Sequence, residues 1–199
     1  MSDDDDLLFE ELAADVALLE KQIRLEDAQV WRRSWCRAIF AWIEGELASA
    51  KALRLTHDYW ILEDEQELAV RNLRRVAAGT HAEKVRTAFL PLVDAAKLTV
   101  QAYAAHSGGP NPIAPDDSSW LKLATAVKIR NRVVHPKRHA DLHMSDDEAR
   151  LLQDASSWFF TSLLSVQDLY FRAEAHRLRA RTKRATRYFR RHRKANESP

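Results

Sequence analysis

The sequence predicts an all-α protein, a bundle of four or five packed helices that ends in a long, basic C-terminal helix or tail. Three observations favour this fold class. Only four glycines and six prolines occur among 199 residues, so few positions interrupt a helix. Apolar residues recur at helical spacing along most of the chain, and no segment shows a clear strand alternation. The clearest break, from His106 to Ser119, has the composition of a loop.

Charge divides the chain into three predicted units: an acidic helical leader over residues 1–28, a helical bundle over 29–171 and a basic tail over 172–199. Residues 172–194 hold nine arginines and two lysines against one acid, Glu174, which gives a net charge of +10. The first 171 residues sum to −7, so the overall charge of +2 hides a strong asymmetry. A block of like charge indicates a segment that contacts an oppositely charged partner.

The composition also predicts a compartment. No run approaches the roughly 18 apolar residues that cross a bilayer. The acidic residues Asp3 to Asp6 are unlike the basic start of a signal or transit peptide. The single cysteine, Cys36, cannot form an internal disulfide, which is typical of a reducing environment. We therefore expect a cytoplasmic protein.

Apolar spacing predicts the helices of the N-terminal half. The leader carries a helical stripe at Leu8, Leu12, Val16 and Leu19. A long helix follows from about Asp27 to Leu55, with an apolar arc wide enough to pack on more than one side. That arc comprises Trp31, Trp35, Cys36, Ala38, Phe40, Trp42, Ile43 and Leu47. A shorter helix is expected over residues 57–79, and another is marked by Val85, Phe89, Leu92, Ala96, Val100 and Tyr103, with a kink at Pro91.

Two further helices are predicted in the C-terminal half. The first runs from about Ser118 to Val134. The second opens where Ser145 and Glu148 have the spacing of a capping box, which satisfies free backbone N–H groups. Its apolar stripe comprises Leu152, Ala155, Phe159, Leu163, Val166 and Tyr170. We expect the tryptophans to be core or dimer contacts: Trp31, Trp35, Trp42, Trp120 and Trp158.

The stretch "AVKIRNRVVHPKRHADLH", residues 126–143, departs from a simple amphipathic pattern. The predicted core stripe of its helix is Trp120, Ala124, Val127, then Arg130 or Asn131, then Val134. A charge on that face costs free energy unless it is paired or lies in a wet cleft. Pro136 disfavours helical geometry at His135, so the helix should end there. The break allows the imidazole to turn toward the face of Arg130.

The motif "RNRVVHP" has Arg and His separated by four residues, with Asn directly after the Arg, at the end of a late helix. It resembles the HEPN family (higher eukaryotes and prokaryotes nucleotide-binding), small all-helical proteins that often act as ribonucleases. The resemblance covers roughly Trp31 to Tyr170. It implies that Arg130 and His135 are the catalytic pair, that Asn131 orders the site, and that Glu44 faces it.

The same resemblance implies a metal-independent endoribonuclease with no cofactor, acting as a toxin or antiviral defence effector. It implies a homodimer in which two motifs face one RNA cleft, and an antitoxin or regulatory protein as a further partner. The chemistry is physically reasonable because RNA carries its own nucleophile, the 2′-OH. His135 can move protons, and Arg130 can stabilise charge on the phosphate oxygens. Some family toxins carry a modifiable Tyr two residues after the His, whereas this chain has Lys137.

Other interpretations of the motif remain open. Arg130 can instead be a structural partner of a bundle carboxylate, and His135 a helix cap. His135, His139 and His143 have a spacing that binds zinc on an unbroken helix, but Pro136 and Asp141 predict a loop, so no metal site is predicted.

The tail has alternatives of its own. The predicted contacts to nucleic-acid phosphates are Arg187, Arg190 and Arg191 of the tail, together with Lys137 of the motif. Tyr188 and Phe189 of the tail are available for base stacking. An anionic membrane surface, or a solvated extension that contacts the acidic leader, would explain the same composition. The competing function is therefore a non-catalytic module that dimerises or binds a partner while its tail holds nucleic acid.

Overall fold

The computed structural model describes residues 3–55, 73–77, 83–87, 90–108, 111, 113, 114 and 117–196, with side chains over 10–52, 90–108, 111, 113, 114 and 117–186. In this part of the chain there are five α-helices: α1 (Asp3–Leu25), α2 (Gln29–Leu55), α3 (Leu92–Ser107), α4 (Ser118–Val134) and α5 (Asp146–Asn196). A short 3-10 helix, His139–Leu142, lies between α4 and α5. The predicted all-α class is confirmed, because these helices supply the hydrophobic core.

A pair of short antiparallel strands interrupts the helical pattern. Strands β1 (Leu73–Ala77) and β2 (Glu83–Thr87) pair antiparallel, with Leu73 opposite Thr87. The helix expected over 57–79 is therefore wrong at 73–77, and the rest of it up to residue 72 lies outside the described residues. Val85, expected on the stripe of α3, belongs to β2. Spacing alone misleads here because a run of five residues is too short to separate the two periods.

Helix α3 begins immediately after Pro91 instead of kinking there. Pro91 has φ −52° and ψ 144°, which is extended geometry, and Leu92 is the first helical residue. The predicted kink is wrong because proline disfavours helix for the residue before it, so the helix starts rather than continues at this position. At the other end Gly108 adopts φ 70°, the left-handed conformation that ends a helix, so His106 and Ser107 of the predicted loop belong to α3.

Helices α2 to α5 pack against one another around one core, and α1 packs on α2. Trp35, Phe40 and Ile43 of α2 are buried, as the wide apolar arc predicts. The predicted stripe of α5 is buried throughout: Leu152, Ala155, Phe159, Leu163, Val166 and Tyr170. Its capping box is also formed, since the Ser145 N–H donates to Glu148 and the Glu148 N–H donates to the Ser145 hydroxyl. The predicted tryptophan contacts include Trp120 against Trp158, with ring centroids 4.8 Å apart.

The buried face of α4 differs from the predicted stripe by one position. Its buried residues are Trp120, Leu123, Ala126, Ile129 and Val133. Ala124, Val127 and Val134 lie half-buried at the edge, as does Arg130. The prediction was wrong because α4 packs against α2, α3 and α5, and their combined positions decide which arc is buried. Arg130 consequently borders the core rather than facing it.

Helices α2 and α5 begin at the same end of the bundle, because Arg32 near the start of α2 pairs with Asp146 at the start of α5. At 1.5 Å per residue, the 51 residues of α5 extend about 76 Å and the 27 residues of α2 about 40 Å. The basic segment is therefore a helical continuation of α5 past the end of α2. The predicted boundary at residues 171/172 lies within this unbroken helix.

The two chain ends differ in how they join the bundle. In the leader, Val16 is buried and Leu19 packs on the core, and the boundary at residues 28/29 falls at the end of the turn between α1 and α2. In the basic segment, Glu174 and Arg177 contact His106 at the end of α3, with Glu174 Oε1 2.9 Å from His106 Nε2. None of the described helices is both long and apolar enough to cross a bilayer.

Candidate active site

The centre of the site is an ion pair between α2 and α4. Nη2 of Arg130 lies 2.9 Å from Oε1 of Glu44. The Arg130 side chain is 28% exposed and that of Glu44 is 47% exposed. The two helices pack directly against each other, which brings together residues that are 86 positions apart in the chain. The pair is thus held by the bundle but remains open to solvent.

Two further side chains fix the guanidinium. Nη1 of Arg130 donates to Oδ1 of Asn131 at 3.1 Å. The Arg130 carbon Cζ lies 5.8 Å from the centre of the Phe40 ring, within range of a cation–π contact. Glu44, Asn131 and Phe40 therefore each contact the Arg130 guanidinium. Phe40 was predicted only as a core residue, and its position next to Arg130 follows from the packing of α2 on α4.

His135 ends α4 as predicted. Its φ of −122° and ψ of 61° are not helical, while its N–H still donates to the carbonyl oxygen of Asn131 at 3.0 Å. The side chain is exposed. Among the described residues, its imidazole makes no hydrogen bond to Glu44, Arg130 or Asn131. The structure therefore brings Glu44, Arg130 and Asn131 into contact. The fourth predicted catalytic residue, His135, lies five positions after Arg130 with its side chain in solvent.

The predicted nucleic-acid residues do not gather at this site. Lys137 is exposed, and its backbone N–H donates to Oδ2 of Asp141 at 2.9 Å. Arg187, Arg190 and Arg191 lie on the backbone of α5, and their side chains are outside the described part of the structure. Their predicted contacts stay predictions.

Two polar residues that the sequence did not predict at the site, Asp141 and Arg132, shape the segment after His135. Asp141 is buried and accepts hydrogen bonds from the backbone N–H groups of Lys137 and Arg138, both at 2.9 Å. The Lys137 N–H bond holds the pKa of Asp141 below its usual value, and the Arg138 N–H and the charges of Arg138 and Arg132 act in the same direction against burial. Arg132 contacts Asp141, His143 and Glu148. The sequence signal that could have indicated this contact is Asp141 itself, an acidic residue six positions after His135.

The three histidines of the motif do not form a helical face. His135 caps α4, His139 begins the 3-10 helix and His143 follows it. No cluster of three potential metal-ligating side chains occurs within the described residues. The loop predicted for this segment is confirmed.

A polar cleft of about 570 Å³ lies at the shared start of α2 and α5. Its lining includes Asp27, Arg32, His143 and Asp146, and it contains none of the predicted catalytic residues. Arg32 lies 2.5 Å from Asp27 and 2.7 Å from Asp146, so its charge is already neutralised by side chains of the cleft itself. We assign the cleft a structural role in joining the two helix starts.

No family model, no curated protein and no solved structure matches this chain.

Proposed function

We propose that the protein is a metal-independent endoribonuclease of the HEPN type, acting as a toxin or antiviral defence effector. The observation that supports this most is the Glu44–Arg130–Asn131 cluster, in which a half-buried guanidinium is held between two helices, five residues before the helix end at His135. Glu44 and Asn131 each take one of the five N–H groups of Arg130, and the other N–H groups can donate to a phosphate independent of pH. A purely structural ion pair needs neither the exposure nor the neighbouring histidine.

In the proposed reaction the 2′-oxygen of RNA attacks the adjacent phosphorus, and the bond from phosphorus to the 5′-oxygen breaks. The 2′-OH proton leaves to a base and the 5′-oxygen receives a proton from an acid, and His135 acts in one of these transfers. Arg130 stabilises the negative charge on the phosphate oxygens in the transition state. Glu44 and Asn131 hold the guanidinium in place. The products carry a 2′,3′-cyclic phosphate and a 5′-OH.

A homodimer fits this proposal, because one His135 from each chain would supply one of the two proton transfers, and one Arg130 from each chain would contact the phosphate across one RNA cleft. The basic half of α5 would add sequence-independent contacts to RNA phosphates. An antitoxin or regulatory protein would restrain such an activity in the cell.

The test is to incubate purified protein with mixed total RNA in EDTA, beside Arg130→Ala and His135→Ala prepared identically. We expect cleavage by the wild type alone, with cyclic-phosphate ends and a 10²- to 10³-fold or greater loss in each variant. Circular dichroism and RNA-filter binding serve as controls for folding and affinity. Intact RNA with a well-folded wild type, or equal cleavage by all three proteins, contradicts the proposal.

A second candidate is a non-catalytic module that binds a partner and holds nucleic acid through its basic helix. One observation favours it: Leu164, Phe171 and Leu178 recur every seventh residue on α5 and are 65%, 55% and 66% exposed. Exposed apolar residues at this spacing form the seam of a helix–helix contact.

The two candidates differ in what truncation does. A stop after Arg181 removes seven cationic residues but keeps the contact of Glu174 and Arg177 with His106. The module predicts that this truncation abolishes RNA binding and that no variant cleaves RNA. The nuclease predicts weaker binding with a shallower salt dependence, by about 0.7 in the log–log slope per lost phosphate contact, and persisting cleavage at high enzyme concentration.

A further inference from the structure

The segment that joins α4 to α5 is bonded to the bundle along its length. The backbone carbonyl oxygens of residues 141–144 each accept a hydrogen bond from a side chain of α2 or α4. The donors are Arg132 for residues 141 and 143, at 3.2 and 2.7 Å, Arg33 for 142, at 3.2 Å, and Arg32 with Gln29 for 144, both at 3.0 Å. Four consecutive carbonyls bound in this way leave the segment little freedom to move.

Arg132 ties this segment to both neighbouring helices. It belongs to the last turn of α4, and its Nη2 donates to Glu148 Oε1 at 2.7 Å. Glu148 also closes the capping box at the start of α5. One guanidinium therefore connects the end of α4, two carbonyls of the connecting segment and the start of α5.

Asp141 binds the backbone that follows His135. Its Oδ2 accepts the N–H groups of both Lys137 and Arg138, the two residues that follow Pro136. The N–H of His135 itself donates to Asn131 of α4. The backbone is thus bound immediately before and immediately after the His-Pro step.

We infer that Asp141 and Arg132 are positioning residues, which hold the backbone around His135 in place at the end of α4, five residues after Arg130. The inference rests on the proposed function for its purpose, but its structural content can be measured separately. A histidine on an unrestrained loop would sample many positions, and a misplacement of about 1 Å can lower a catalytic rate roughly 100-fold.

The chain offers a sharp pair of variants. Asp141→Asn keeps an oxygen where Oδ2 now accepts both N–H groups, whereas Asp141→Ala removes it. Arg138→Ala is the matched control, because Arg138 also reaches Asp141, at 3.7 Å, but its 83% exposed side chain is not needed for the backbone bond. The readout is the backbone amide signal of His135 in a ¹⁵N–¹H spectrum, assigned with His135→Gln; its N–H donates to the Asn131 carbonyl oxygen in the wild type.

We expect the His135 signal to move toward the position of an unrestrained histidine in Asp141→Ala, and to stay near the wild-type position in Asp141→Asn and Arg138→Ala. Cleavage should fall about 10- to 100-fold in kcat for Asp141→Ala with little change in KM, and within about threefold of wild type for Asp141→Asn. If Asp141→Ala does not fold, Arg132→Lys carries the same test, since a single ammonium cannot reproduce the planar guanidinium bonds to two carbonyls and Glu148.

An unchanged His135 signal in the folded Asp141→Ala variant, or in Arg132→Lys where that variant replaces it, overturns the inference. The two proposals fail differently. A wild type that does not cleave RNA, with a His135 signal that still depends on Asp141, removes the ribonuclease and leaves the positioning role intact. Cleavage of RNA by the wild type, with a His135 signal that does not depend on Asp141, supports the ribonuclease and removes the positioning role.

Discussion

Glu44 of α2 and Arg130 of α4 form an ion pair at 2.9 Å across 86 residues of chain. Both side chains retain solvent access, so the pair contributes little to folding: exposed pairs typically contribute about 0.2–1 kcal/mol. Its position next to Asn131 and before His135 gives it a functional interpretation. The first prediction separates these two roles.

A double-mutant cycle with Glu44→Gln and Arg130→Gln should give a coupling free energy of unfolding of at most about 1 kcal/mol. A change of 1 kcal/mol corresponds to about 2–4 °C in Tm for a chain of this size. Urea unfolding followed by circular dichroism measures it. A coupling of several kcal/mol would instead make the pair a structural element of the bundle and weaken the catalytic proposal.

Leu123→Ala should lower the free energy of unfolding by about 2–5 kcal/mol, because Leu123 is fully buried in α4 and its loss leaves a cavity. Leu121→Ala on the same helix is the matched control. Leu121 is 69% exposed, so its removal should change the stability by no more than about 0.5 kcal/mol. Equal effects of the two substitutions would contradict the burial of the Leu123 face of α4.

Arg32→Ala should destabilise the protein by about 1–3 kcal/mol. The buried guanidinium bonds the Met144 carbonyl and pairs with Asp27 and Asp146. The cost stays below that of a fully buried pair, because both carboxylates are more than half exposed and regain water. Arg150→Ala, an exposed arginine 3.6 Å from Asp147, should be close to neutral. Chemical denaturation of the two variants side by side decides the point.

The stability difference between wild type and Asp141→Asn should depend on pH in the acid range. The pKa of Asp141 is lowered in the fold, chiefly by the Lys137 N–H, so the unfolded chain binds its proton more readily. The contribution of the ionised carboxylate is complete above the usual pKa of 3.8 and disappears as the pH falls through the lower folded value. Thermal unfolding from pH 2 to 6 tests this; a difference that grows toward low pH contradicts it.

Cys36 should resist alkylation in the native protein. It is fully buried in α2, and burial raises the pKa of its thiol to about 12, so almost no thiolate exists near neutral pH. Iodoacetamide at pH 8 should label it slowly in buffer and rapidly in denaturing urea, with mass spectrometry as the readout. Rapid labelling under native conditions would mean that α2 opens locally.

The described helices illustrate what local pattern can establish. The limits of α4 and the complete buried stripe of α5 follow from apolar spacing, the capping box and Pro136. These signals act over a few residues, so they are visible in the sequence. The predictions of a helix at 73–77 and of a kink at Pro91 were wrong, because short apolar runs fit more than one period.

The candidate site also has some features that the sequence predicts and others that depend on tertiary packing. The sequence by itself determined that a helix ends at His135 with Arg130 and Asn131 just before it, because a proline step and a spacing of five residues are local properties. Only the tertiary structure decided that Glu44 reaches Arg130, that Phe40 lies beside the guanidinium, and that Asp141 and Arg132 close the segment around His135. Those contacts depend on how α2, α4 and α5 pack together, and packing between distant segments is a cooperative property that no local pattern encodes.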